Sequence, residues 1–590
     1  RIRKMRENTA FLIHHRLIVT MIRRKLASQG NPEKRLGHLT LLSGLHGKRL
    51  FSSASAGSRT SILYPLLGGV VVATAAATKY VRDNVGGTEG LTRSVSFYSF
   101  AIPKYIEYRY HMYNKSPDHV WNKLDAETAK TALDKAYELE GFYYKGGQIV
   151  AANFGGAFPQ TWQDTMSVLL DQVPPQDFSV IKEIVSSELD FDKVFSSFEE
   201  TPIGSAAIGQ VHRATLKDGT PVVVKVRYPN VERILRGDVV TIKMFAQIAQ
   251  PVHVPALEEI EEQFMTEFDY VQEGNQLENV RKNLRKAGLE GPGKLCRVPK
   301  PYLHLCTERV LVMEELHGVK LADGLKDEMA IQAKREGKTT EQYMSEMKQK
   351  ERLAKERGEE LKGPSSSEYD MYISVLNKHR LASNTLRKLY NISVGWLPGK
   401  KMRAIEDKSS LPVNHAKMID DLFYIHGHEI LVDGYFNGDC HPGNIMLLRE
   451  EDGSPSIGLI DYGQVKKISK ETRHLFARLL IALDDDNKEE IVSLMQEAGM
   501  RTENMDPEVL YLYAKVSYDT INDKILQGKH IQLFMEDLES RDPIVQLPTE
   551  FLMASRCSVL LRGLAMALHQ NRSVARAWRP IAERVLQTEA

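Results

Sequence analysis

The stretch that most constrains the fold is GYFNGDCHPGNIMLL at residues 434–448, followed by LIDYGQV at residues 459–465. Asp439 and Asn444 lie on a loop that its proline and glycine keep out of helix, and the apolar runs IMLL and IGLI predict short buried strands around a turn. We expect Asp461, at the end of the second strand, to face back toward that loop. Two carboxylates and an amide that converge in this way supply hard oxygen ligands for Mg²⁺ and a group that can accept or orient a hydroxyl proton.

The spacing matches a known catalytic pattern, H-R-D-x-x-x-x-N followed by D-F-G. Gly438-Asp439 and Asp461-Tyr462-Gly463 take the corresponding places. An Asp and an Asn five residues apart are also common in Asx-capped loops. The second Asp at a suitable distance favours phosphoryl transfer over this alternative.

Bulk properties exclude several classes of protein. A chain of 590 residues is long enough for two to four domains, or for one large enzyme core with extensions. Lys and Arg number 78 against 77 for Asp and Glu. The chain therefore has no overall excess of positive charge of the kind that indicates binding to nucleic acid. The four cysteines form no C-x-x-C pair or other metal-like spacing, which fits a thiol-reducing compartment rather than a disulfide scaffold.

Basic charge is concentrated near the start of the chain. Residues 1–60 contain thirteen Lys or Arg but only Glu7 and Glu33 as acids, and they are rich in Ser. This composition is typical of an organelle presequence, with a disordered basic tail as the alternative. Residues 62–78 carry no charge but include a proline and two glycines, so a single membrane span and a buried or membrane-surface segment both stay open. The first residue is Arg rather than Met, which is also compatible with a fragment.

Hydrophobic periodicity changes between helix and strand along the chain. Helices are predicted over residues 120–160 and 177–188. The runs VFSSFEE, GQVHRATL and PVVVKVRY then predict strands, the last two joined by a hairpin turn, and RVLVMEEL predicts another. From Lys466 onward the pattern is helical to the end.

One segment fits poorly with a compact domain. Between Lys326 and Lys362 the sequence is almost all charged or polar. This composition favours a solvated helix or a disordered insertion over a binding site for acidic partners. The sequence GPSSSE that follows predicts a linker.

A phosphotransferase also needs a lysine for the nucleotide phosphates. Lys225 lies in the β-branched strand PVVVKV, where alternation puts it on the face of Val223, and an exposed strand lysine is the ordinary alternative. The run of small residues in TPIGSAAIGQVH precedes a strand, and its backbone N–H groups could approach phosphate closely. A G-x4-G-K-[ST] loop is absent from the sequence.

Two acidic residues in the helical run TEFDYVQEG call for two basic partners. Six residues of helix turn about 240°, so Glu267 and Glu273 face different ways and cannot easily share one cation. Lys225 is one partner, and YYKGGQIVAANF offers the other in Lys145, with Gln148 beside it on the same helical face. The double glycine inside that helical stretch calls for a packing or functional reason.

The segment Lys145-Gly146-Gly147-Gln148 resembles the KxGQ motif of the UbiB-type atypical kinases, also called aarF-domain or ADCK proteins. The resemblance covers about residues 120 to 570. Seven motifs occur in family order, which is highly specific although any one alone would be weak. The other six are PIGSAAIGQVHRA, VVVKVRYP, EFDYVQEG, VLVMEELHG, NGDCHPGNI and LIDYGQV.

The resemblance implies an α+β, bilobal protein-kinase-like fold. Such a fold has a small sheet-containing N-lobe, a helical C-lobe and, in this family, an N-terminal helical extension that carries KxGQ. The expected domains are a presequence (1–60), a candidate membrane segment (61–80), the helical extension (81–190), the N-lobe and hinge (191–318), the start of the C-lobe with a charged insertion at about 325–368 (319–415), and the remaining C-lobe (416–590).

The resemblance also implies a role for each matching residue. Asp439 would be the catalytic-loop Asp, and Asn444 and Asp461 would hold Mg²⁺. Lys225 would contact the phosphates of ATP or ADP and pair with Glu273.

Other implied roles concern the rim of the cleft. The nucleotide loop would be Gly204-Ser205-Ala206-Ala207, and the backbone at Glu314 and Glu315 would line the adenine. The regulatory gate over the cleft would consist of Lys145, Gln148, Glu267 and Asp269, with the lysine meeting the two acids.

Three features depart from the family pattern. The nucleotide loop has G-S-A-A, at residues 204–207, where the family has A-A-A-S, which brings it closer to an ordinary glycine-rich loop. Cys440 replaces the first proline of D-P-H-P-G-N and adds an oxidisable thiol without removing a ligand. The charged insertion separates Gly318 from Asp439 by 120 residues, and it could carry a partner site peculiar to this protein.

By resemblance, the chain is an ATP-binding, Mg²⁺-dependent atypical kinase or ATPase that supports isoprenoid-quinone, especially coenzyme Q, or membrane-lipid metabolism. Its expected partners are a membrane lipid or a quinone-related small molecule, and a protein complex of a biosynthetic pathway. The expected location is the mitochondrial inner membrane, with a plastid as the alternative. Two other functions stay open, namely a small-molecule kinase of the aminoglycoside or choline type, and a nucleotide-binding pseudokinase scaffold.

Overall fold

The structure of the protein is a computed structural model. It describes residues 85–588 apart from residues 115, 153–158, 171–172, 250–253, 358, 360, 395–401, 403–412, 439, 441, 451–454 and 529–530. The predicted presequence at residues 1–60 and the candidate membrane segment at residues 61–80 lie outside the described residues.

The first five helices of the described region are α1 (Gly87–Tyr113), α2 (Asp118–Leu139), α3 (Phe142–Ala152), α4 (Gln160–Met166) and α5 (Phe178–Glu188). The helix predicted over residues 120–160 is confirmed for α2 and α3 but is not continuous, because Glu140 and Gly141 take positive φ values of 51° and 53° and separate the two helices. The helix predicted over residues 177–188 is confirmed, and Asp177 caps it by accepting a hydrogen bond from the backbone N–H of Ser179.

The double glycine of the KxGQ segment has a packing reason. Gly147 lies in α3, and a Cβ atom at this position would come within 2.3 Å of Leu169 Cδ1. Leu169 is fully buried in the 3₁₀ turn Ser167–Leu170. A Cβ at Gly146 would meet nothing closer than Phe142 Cε1 at 4.0 Å. Only the second glycine is therefore required for the close approach of α3 to this turn.

An antiparallel sheet follows, with the strand order β1-β3-β4-β6 and with β2 also paired to β3. Its strands are β1 (Phe195–Phe198), β2 (Gly204–Ser205), β3 (Gly209–Leu216), β4 (Pro221–Arg227) and, after β5 (Cys296–Arg297) of another sheet, β6 (Val310–Glu314). The helices around it are α6 (Phe191–Val194), α7 (Val231–Ala249), α8 (Val254–Met265) and α9 (Tyr270–Lys286). The strands predicted in this region are confirmed.

Strand β4 packs against a hydrophobic core on each of its faces. Val222 and Val224 are fully buried in the cluster that also contains Ile181 of α5. Val223 belongs to the other cluster, which extends into the C-lobe. Lys225 shares the face of Val223, as the alternation of the strand predicts, so its side chain points to the side where the two lobes meet.

The acidic run TEFDYVQEG is not one continuous helix. A 3₁₀ turn, Thr266–Phe268, precedes Asp269, whose φ of −113° and ψ of 97° are extended. Asp269 then caps α9, which begins at Tyr270. The prediction that Glu267 and Glu273 share a helix is therefore wrong, because the extended Asp269 separates the 3₁₀ turn from a new helix.

The charged insertion is helical. After the short strand β7 (Gly318–Lys320) come three helices: α10 (Leu321–Arg335), α11 (Thr340–Glu356) and α12 (Ser366–Ser393). The predicted linker GPSSSE ends in a capping box, in which Ser365 and Glu368 bond to each other's backbone and begin α12. The solvated-helix prediction is confirmed over that of a disordered insertion for the described part of this segment.

The C-lobe combines helices with small sheets. One sheet has the order β5-β10-β9-β7, and two ladders pair β11 with β8 and β12 with β13. Its helices are α13 (His415–His428), α14 (Lys470–Asp484), α15 (Lys488–Glu497), α16 (Pro507–Tyr518), α17 (Asp523–Leu526), α18 (Ile531–Arg541), α19 (Thr549–Ala567) and α20 (Val574–Thr588). Its strands are β8 (Tyr435–Asn437), β9 (Ile445–Arg449), β10 (Pro455–Leu459), β11 (Val465–Lys467), β12 (Arg501–Thr502) and β13 (Ile544–Gln546).

The helical pattern predicted from Lys466 to the end holds except for three short strands. Strand β11 continues directly from the DYGQ segment, and β12 and β13 form a two-stranded ladder between helices. Trp578 of α20 is fully buried and donates its indole N–H to the carbonyl of Phe423 at 2.7 Å, which fixes the last helix against α13. Among the described helices, none is both long enough and apolar enough to cross a membrane.

Candidate functional site

Three motif residues that are far apart in the sequence meet where the lobes face each other. Lys225 Nζ of β4 lies 2.7 Å and 2.9 Å from the two carboxylate oxygens of Glu273, on α9. The same ammonium lies 3.4 Å from Oδ2 of Asp461, which follows β10. Its nitrogen also lies 5.0 Å from the ring centroid of Tyr270. One lysine thus joins the sheet, the helix and the C-lobe.

The charges of this cluster follow from its burial. Desolvation raises the pKa of Glu273 to about 7, although the ammonium of Lys225 acts to lower it. Burial acts to lower the pKa of Lys225, but the carboxylates of Asp461 and Glu273 raise it well above its ordinary value. Desolvation also acts on Asp461, yet Lys225 and the backbone N–H of Gly463 hold the pKa of Asp461 below its usual range. Lys225 is therefore a cation and Asp461 an anion at neutral pH.

Polar contacts from the backbone and one amide side chain fix the position of Asp461. The backbone N–H of Gly463 donates to its Oδ1 at 3.0 Å, and Asn437 Nδ2 donates to its carbonyl at 2.8 Å. The next residue, Tyr462, is buried and donates its hydroxyl to Glu429 Oε1 at 3.0 Å. His426 Nδ1 contacts the other oxygen of Glu429 at 2.9 Å.

This network was missed in the sequence, although its geometry is simple. His426 and Glu429 are three residues apart at the end of α13, where the helix continues into the π-helical turn Glu429–Asp433. Both side chains are almost fully buried. The only sequence signal was a His and a Glu at helical spacing before the catalytic loop, which is too common to single out.

A second ion pair links the helical extension to the same region. Lys145 Nζ of α3 lies 2.9 Å from Oε1 and 3.0 Å from Oε2 of Glu267. Gln464, directly after the DYG motif, donates its amide to Glu267 Oε1 at 2.7 Å. Lys145 also contributes to the lowered pKa of Asp461. The extension, the turn before α9 and the DYGQ segment are therefore joined at one carboxylate.

Two of the predicted gate residues, Asp269 and Gln148, make other contacts. Asp269 is exposed and its carboxylate caps α9 by accepting from the backbone N–H of Gln272 at 3.0 Å. Gln148 donates its amide to the carbonyl of Leu169 at 2.9 Å and so holds α3 to the adjacent 3₁₀ turn. Gln464 was not among the sequence candidates, although it adjoins one of the motifs.

The predicted nucleotide loop is partly closed on itself. The backbone N–H of Ala206 donates to the carbonyl of Gly209 at 2.8 Å, and Ala207 is buried. The hydroxyl of Ser205 lies 2.8 Å from that of Tyr228. Gly204 pairs with Val211 as part of β2.

The two predicted hinge residues stand at the end of β6 and bind basic side chains. Glu314 accepts from Arg297 Nη2 at 3.0 Å, and its backbone N–H donates to the carbonyl of Lys300 at 2.9 Å. Glu315 accepts from Arg213 Nε at 2.7 Å. These contacts fix the segment that joins the two lobes.

The predicted metal ligands occupy both sides of the β9–β10 hairpin. Asn444 ends the 3₁₀ turn Pro442–Asn444 directly before β9, and its carbonyl accepts from the backbone N–H of Ile460, one residue before Asp461. The predicted catalytic residue, Asp439, lies outside the described residues. Among the described residues, no three His, Cys, Asp or Glu side chains form a metal-binding group.

The donors that are described nevertheless suit Mg²⁺. The side chain of Asp461 is charged and 37% exposed, and the side chain of Asn444 offers an amide oxygen as a second type of metal ligand. Mg²⁺ typically binds one or two carboxylates together with substrate phosphates rather than a cage made only of protein. An anionic oxygen next to a fixed ammonium fits that arrangement.

Comparison with known proteins relates the chain to one family. The family model described as ABC1 atypical kinase-like domain matches residues 168–353 and 391–495. "AarF domain-containing protein kinase 1" of Xenopus laevis is 22% identical over 473 residues, 77% of this chain and 74% of its own. "AarF domain-containing kinase 1" of Drosophila melanogaster is 22% identical over 533 residues, 86% of this chain and 85% of its own.

One solved structure, the Rv3197–erythromycin complex from Mycobacterium tuberculosis, is 19% identical with a TM-score of 0.40 and covers 80% of this chain and 98% of that one. This weak likeness carries no argument about the site. The family match and the named relatives, together with the motif residues found at one lobe interface, identify the chain. It belongs to the UbiB or ADCK family of ABC1 atypical kinase-like proteins and has their mixed α+β, kinase-like fold.

Proposed function

We propose that the protein binds ATP with Mg²⁺ and either hydrolyses it or transfers its γ-phosphoryl group. The observation that carries this proposal is the position of Lys225, paired with Glu273 at 2.7 Å and lying 3.4 Å from Asp461. In protein kinases a strand lysine paired with a helix glutamate, together with the Asp of the D-F-G motif, forms the phosphate and metal site. This set of residues favours an enzyme that turns over ATP rather than a pseudokinase scaffold that only binds it.

The residues of the chain would divide the chemical work as follows. Lys225, held by Glu273, would bind the nucleotide phosphates through its ammonium. Asp461 and Asn444 would hold Mg²⁺, which when bound would offset the charge of the phosphates. Asp439 would accept or orient the proton of the attacking hydroxyl or water, a role that rests on the resemblance of its motif.

The position of the helical extension bears on which phosphoryl acceptors could reach the site. Lys145 and Gln464 meet at Glu267 beside the charged cluster, and this contact supports an extension that would narrow the approach to the site. A narrowed approach favours water, a small molecule or a lipid over a folded protein as the acceptor. Isoprenoid-quinone or membrane-lipid metabolism, in a biosynthetic protein complex, is the context that we propose from the family resemblance.

The proposed location rests on composition alone. Residues 1–60 are basic, Ser-rich and nearly free of acids, which is typical of a mitochondrial presequence and less so of a plastid one. We propose association with the mitochondrial inner membrane.

The test is Mg²⁺-dependent ATP turnover by the full chain, with and without liposomes and quinone-precursor mimics. Asp461→Asn should lower kcat by at least about 100-fold, as expected when a charge stabilising phosphoryl transfer is lost, with little change in melting temperature. An Asp461→Asn variant that turns over ATP at the wild-type rate would remove Asp461 from the mechanism. Tight nucleotide binding without turnover under any condition would favour the scaffold.

A further inference from the structure

A cavity of about 1030 Å³ lies between helix α12 and the β9–β10 hairpin of the C-lobe. Ile373, Asn377 and Arg380 of α12 line one side, and Leu447, Ser456 and Ile457 of the hairpin line the other. Lys225, Glu273 and Asp461 are not among the residues that line it. The cavity is thus separate from the proposed nucleotide site.

Two polar groups of this cavity lack a hydrogen-bond partner among the described residues. One is Nη1 of Arg380, which is shielded from solvent. The other is Oγ of Ser456, whose residue is 5% exposed. Buried donors without a partner are rare in native proteins, so two of them at one cavity point to a bound group that accepts hydrogen bonds.

The charge of the lining favours an anion. Five basic side chains stand against three acidic ones, and two of the acids and one of the bases, Lys417, are already partnered within the lining. Asp370 accepts from Asn414 Nδ2 at 2.9 Å, and Asp421 lies 2.6 Å from Lys417 Nζ. The basic lining residues are Lys294, Lys378, Arg380, Lys417 and Arg449.

The inner surface of the cavity is apolar as well as basic. Val413, Met418, Leu447 and Ile457 line it and are buried in the C-lobe core. A volume at the upper end of ordinary ligand pockets leaves room for much more than an inorganic ion. The lining therefore suits a ligand with an anionic head and an apolar body.

We propose that this cavity binds an amphipathic phosphate monoester, with Arg380 and Ser456 holding its head group. The formal lining charge of +2 matches a phosphate monoester, which carries about −1.5 to −2 at neutral pH. Arg is suited to such a group because its guanidinium forms paired hydrogen bonds with phosphate oxygens. The head group could come from a membrane lipid or from a free organic phosphate.

The cavity depends on a segment outside the family match. The matched ranges, 168–353 and 391–495, leave out residues 354–390, and these include most of α12 (Ser366–Ser393). The arginine and one wall of the cavity are therefore contributed by residues that the family model does not match.

The test is calorimetric titration of the full chain with hexyl phosphate, inorganic phosphate and hexanol. Saturable binding of one hexyl phosphate is expected, tighter than that of either other probe. Arg380→Gln should weaken it at least about tenfold, as expected for a charge-assisted contact, and Ser456→Ala should weaken it less. Lys388→Gln is the matched control, since Lys388 lies on the same helix but does not line the cavity. Asp461→Asn should bind hexyl phosphate as the wild type does, which separates this site from the nucleotide site.

Vesicles identify the source of the head group. Arg380-dependent co-sedimentation with phosphatidylcholine vesicles that contain phosphatidic acid would support the proposal and assign a lipid. Arg380-dependent binding of hexyl phosphate without co-sedimentation would support it and assign a soluble phosphate. Equal affinity of wild type and a folded Arg380→Gln for hexyl phosphate, or no saturable binding, would overturn it.

Discussion

At the scale of single residues, the site is organised by carboxylates that each serve two partners. Asp461 faces Lys225 and is held by the backbone N–H of Gly463. Glu267 accepts from both Lys145 and Gln464. Sequence reasoning identified the charged members of these sets because their types are typical of phosphate chemistry. It missed Gln464 and Glu429, since an amide and a buried acid acquire their roles only from what the fold places beside them.

Loss of Lys145 should weaken nucleotide binding. Lys145→Ala leaves Glu267 without its cation and adds net negative charge beside Asp461, which opposes an anionic ligand. We expect the Kd of Mg-ATP to rise about tenfold, which corresponds to about 1.4 kcal/mol. Titration with a fluorescent ATP analogue measures it. Lys130→Ala, an exposed lysine of α2, is the control, and an unchanged Kd in Lys145→Ala would leave Lys145 a structural residue.

The hydroxyl of Tyr462 should contribute to both stability and turnover. Tyr462→Phe leaves a buried oxygen of Glu429 without this donor, and an unsatisfied buried acceptor costs about 1–3 kcal/mol. Because Tyr462 follows Asp461 directly, kcat should fall while the Kd of Mg-ATP changes little. Denaturant unfolding and steady-state kinetics measure the two effects. Unchanged stability in Tyr462→Phe would show that the Glu429 contact is not formed.

At the scale of secondary-structure elements, the regular strands could be predicted from the sequence, but the interruptions between helices could not. The strands of the N-lobe alternate cleanly and were predicted well. The breaks at Glu140-Gly141 and at Asp269 were not, because a positive φ and an extended cap leave the helical spacing of apolar residues intact. The ladder between β12 and β13 is too short to show a strand pattern.

The two glycines of α3 should respond in opposite directions to alanine. Gly146→Ala has room and should gain about 0.5–1 kcal/mol of helix propensity. Gly147→Ala places its Cβ 2.3 Å from the buried Leu169 side chain, and overpacking should cost about 1–3 kcal/mol. Melting temperatures should therefore fall in the order Gly146→Ala, wild type, Gly147→Ala. The reverse order for the two variants would contradict the packing described for this helix.

A buried ion pair between α1 and α7 should make stability depend on pH. Arg93 Nε lies 2.9 Å from Oδ1 of Asp238, and burial raises the pKa of Asp238 to about 6, more than Arg93 lowers it. A raised carboxyl pKa means that the folded state holds the proton more tightly, so the contribution of Asp238 is full below about pH 4 and is lost as the pH rises through 6. Relative to Asp238→Asn, wild type should lose about 3 kcal/mol of unfolding free energy between pH 4 and pH 7. Chemical unfolding across this range measures it, and a constant difference would contradict the raised pKa.

At the scale of the whole molecule, the sequence predicted the kinase-like, α+β architecture and its family, because seven ordered motifs constrain the topology jointly. It did not predict how the insertion would fold against the C-lobe. The charged residues of α11 predict a solvent-exposed helix, but they do not indicate which elements that helix packs against. The cavity beside α12 is formed by residues from four separate parts of the chain, and no local pattern marks such a place.

The two-sided burial of β4 bears on how the molecule can be divided. Its valines contact α5 of the extension on one face and the C-lobe cluster on the other. Removal of the residues before β1 would therefore expose to solvent one face of β4, a strand whose two faces are both buried in the intact chain. We therefore expect the extension, though outside the kinase-like lobes in sequence, to unfold with them as one cooperative unit, so that limited proteolysis does not release a stable catalytic fragment.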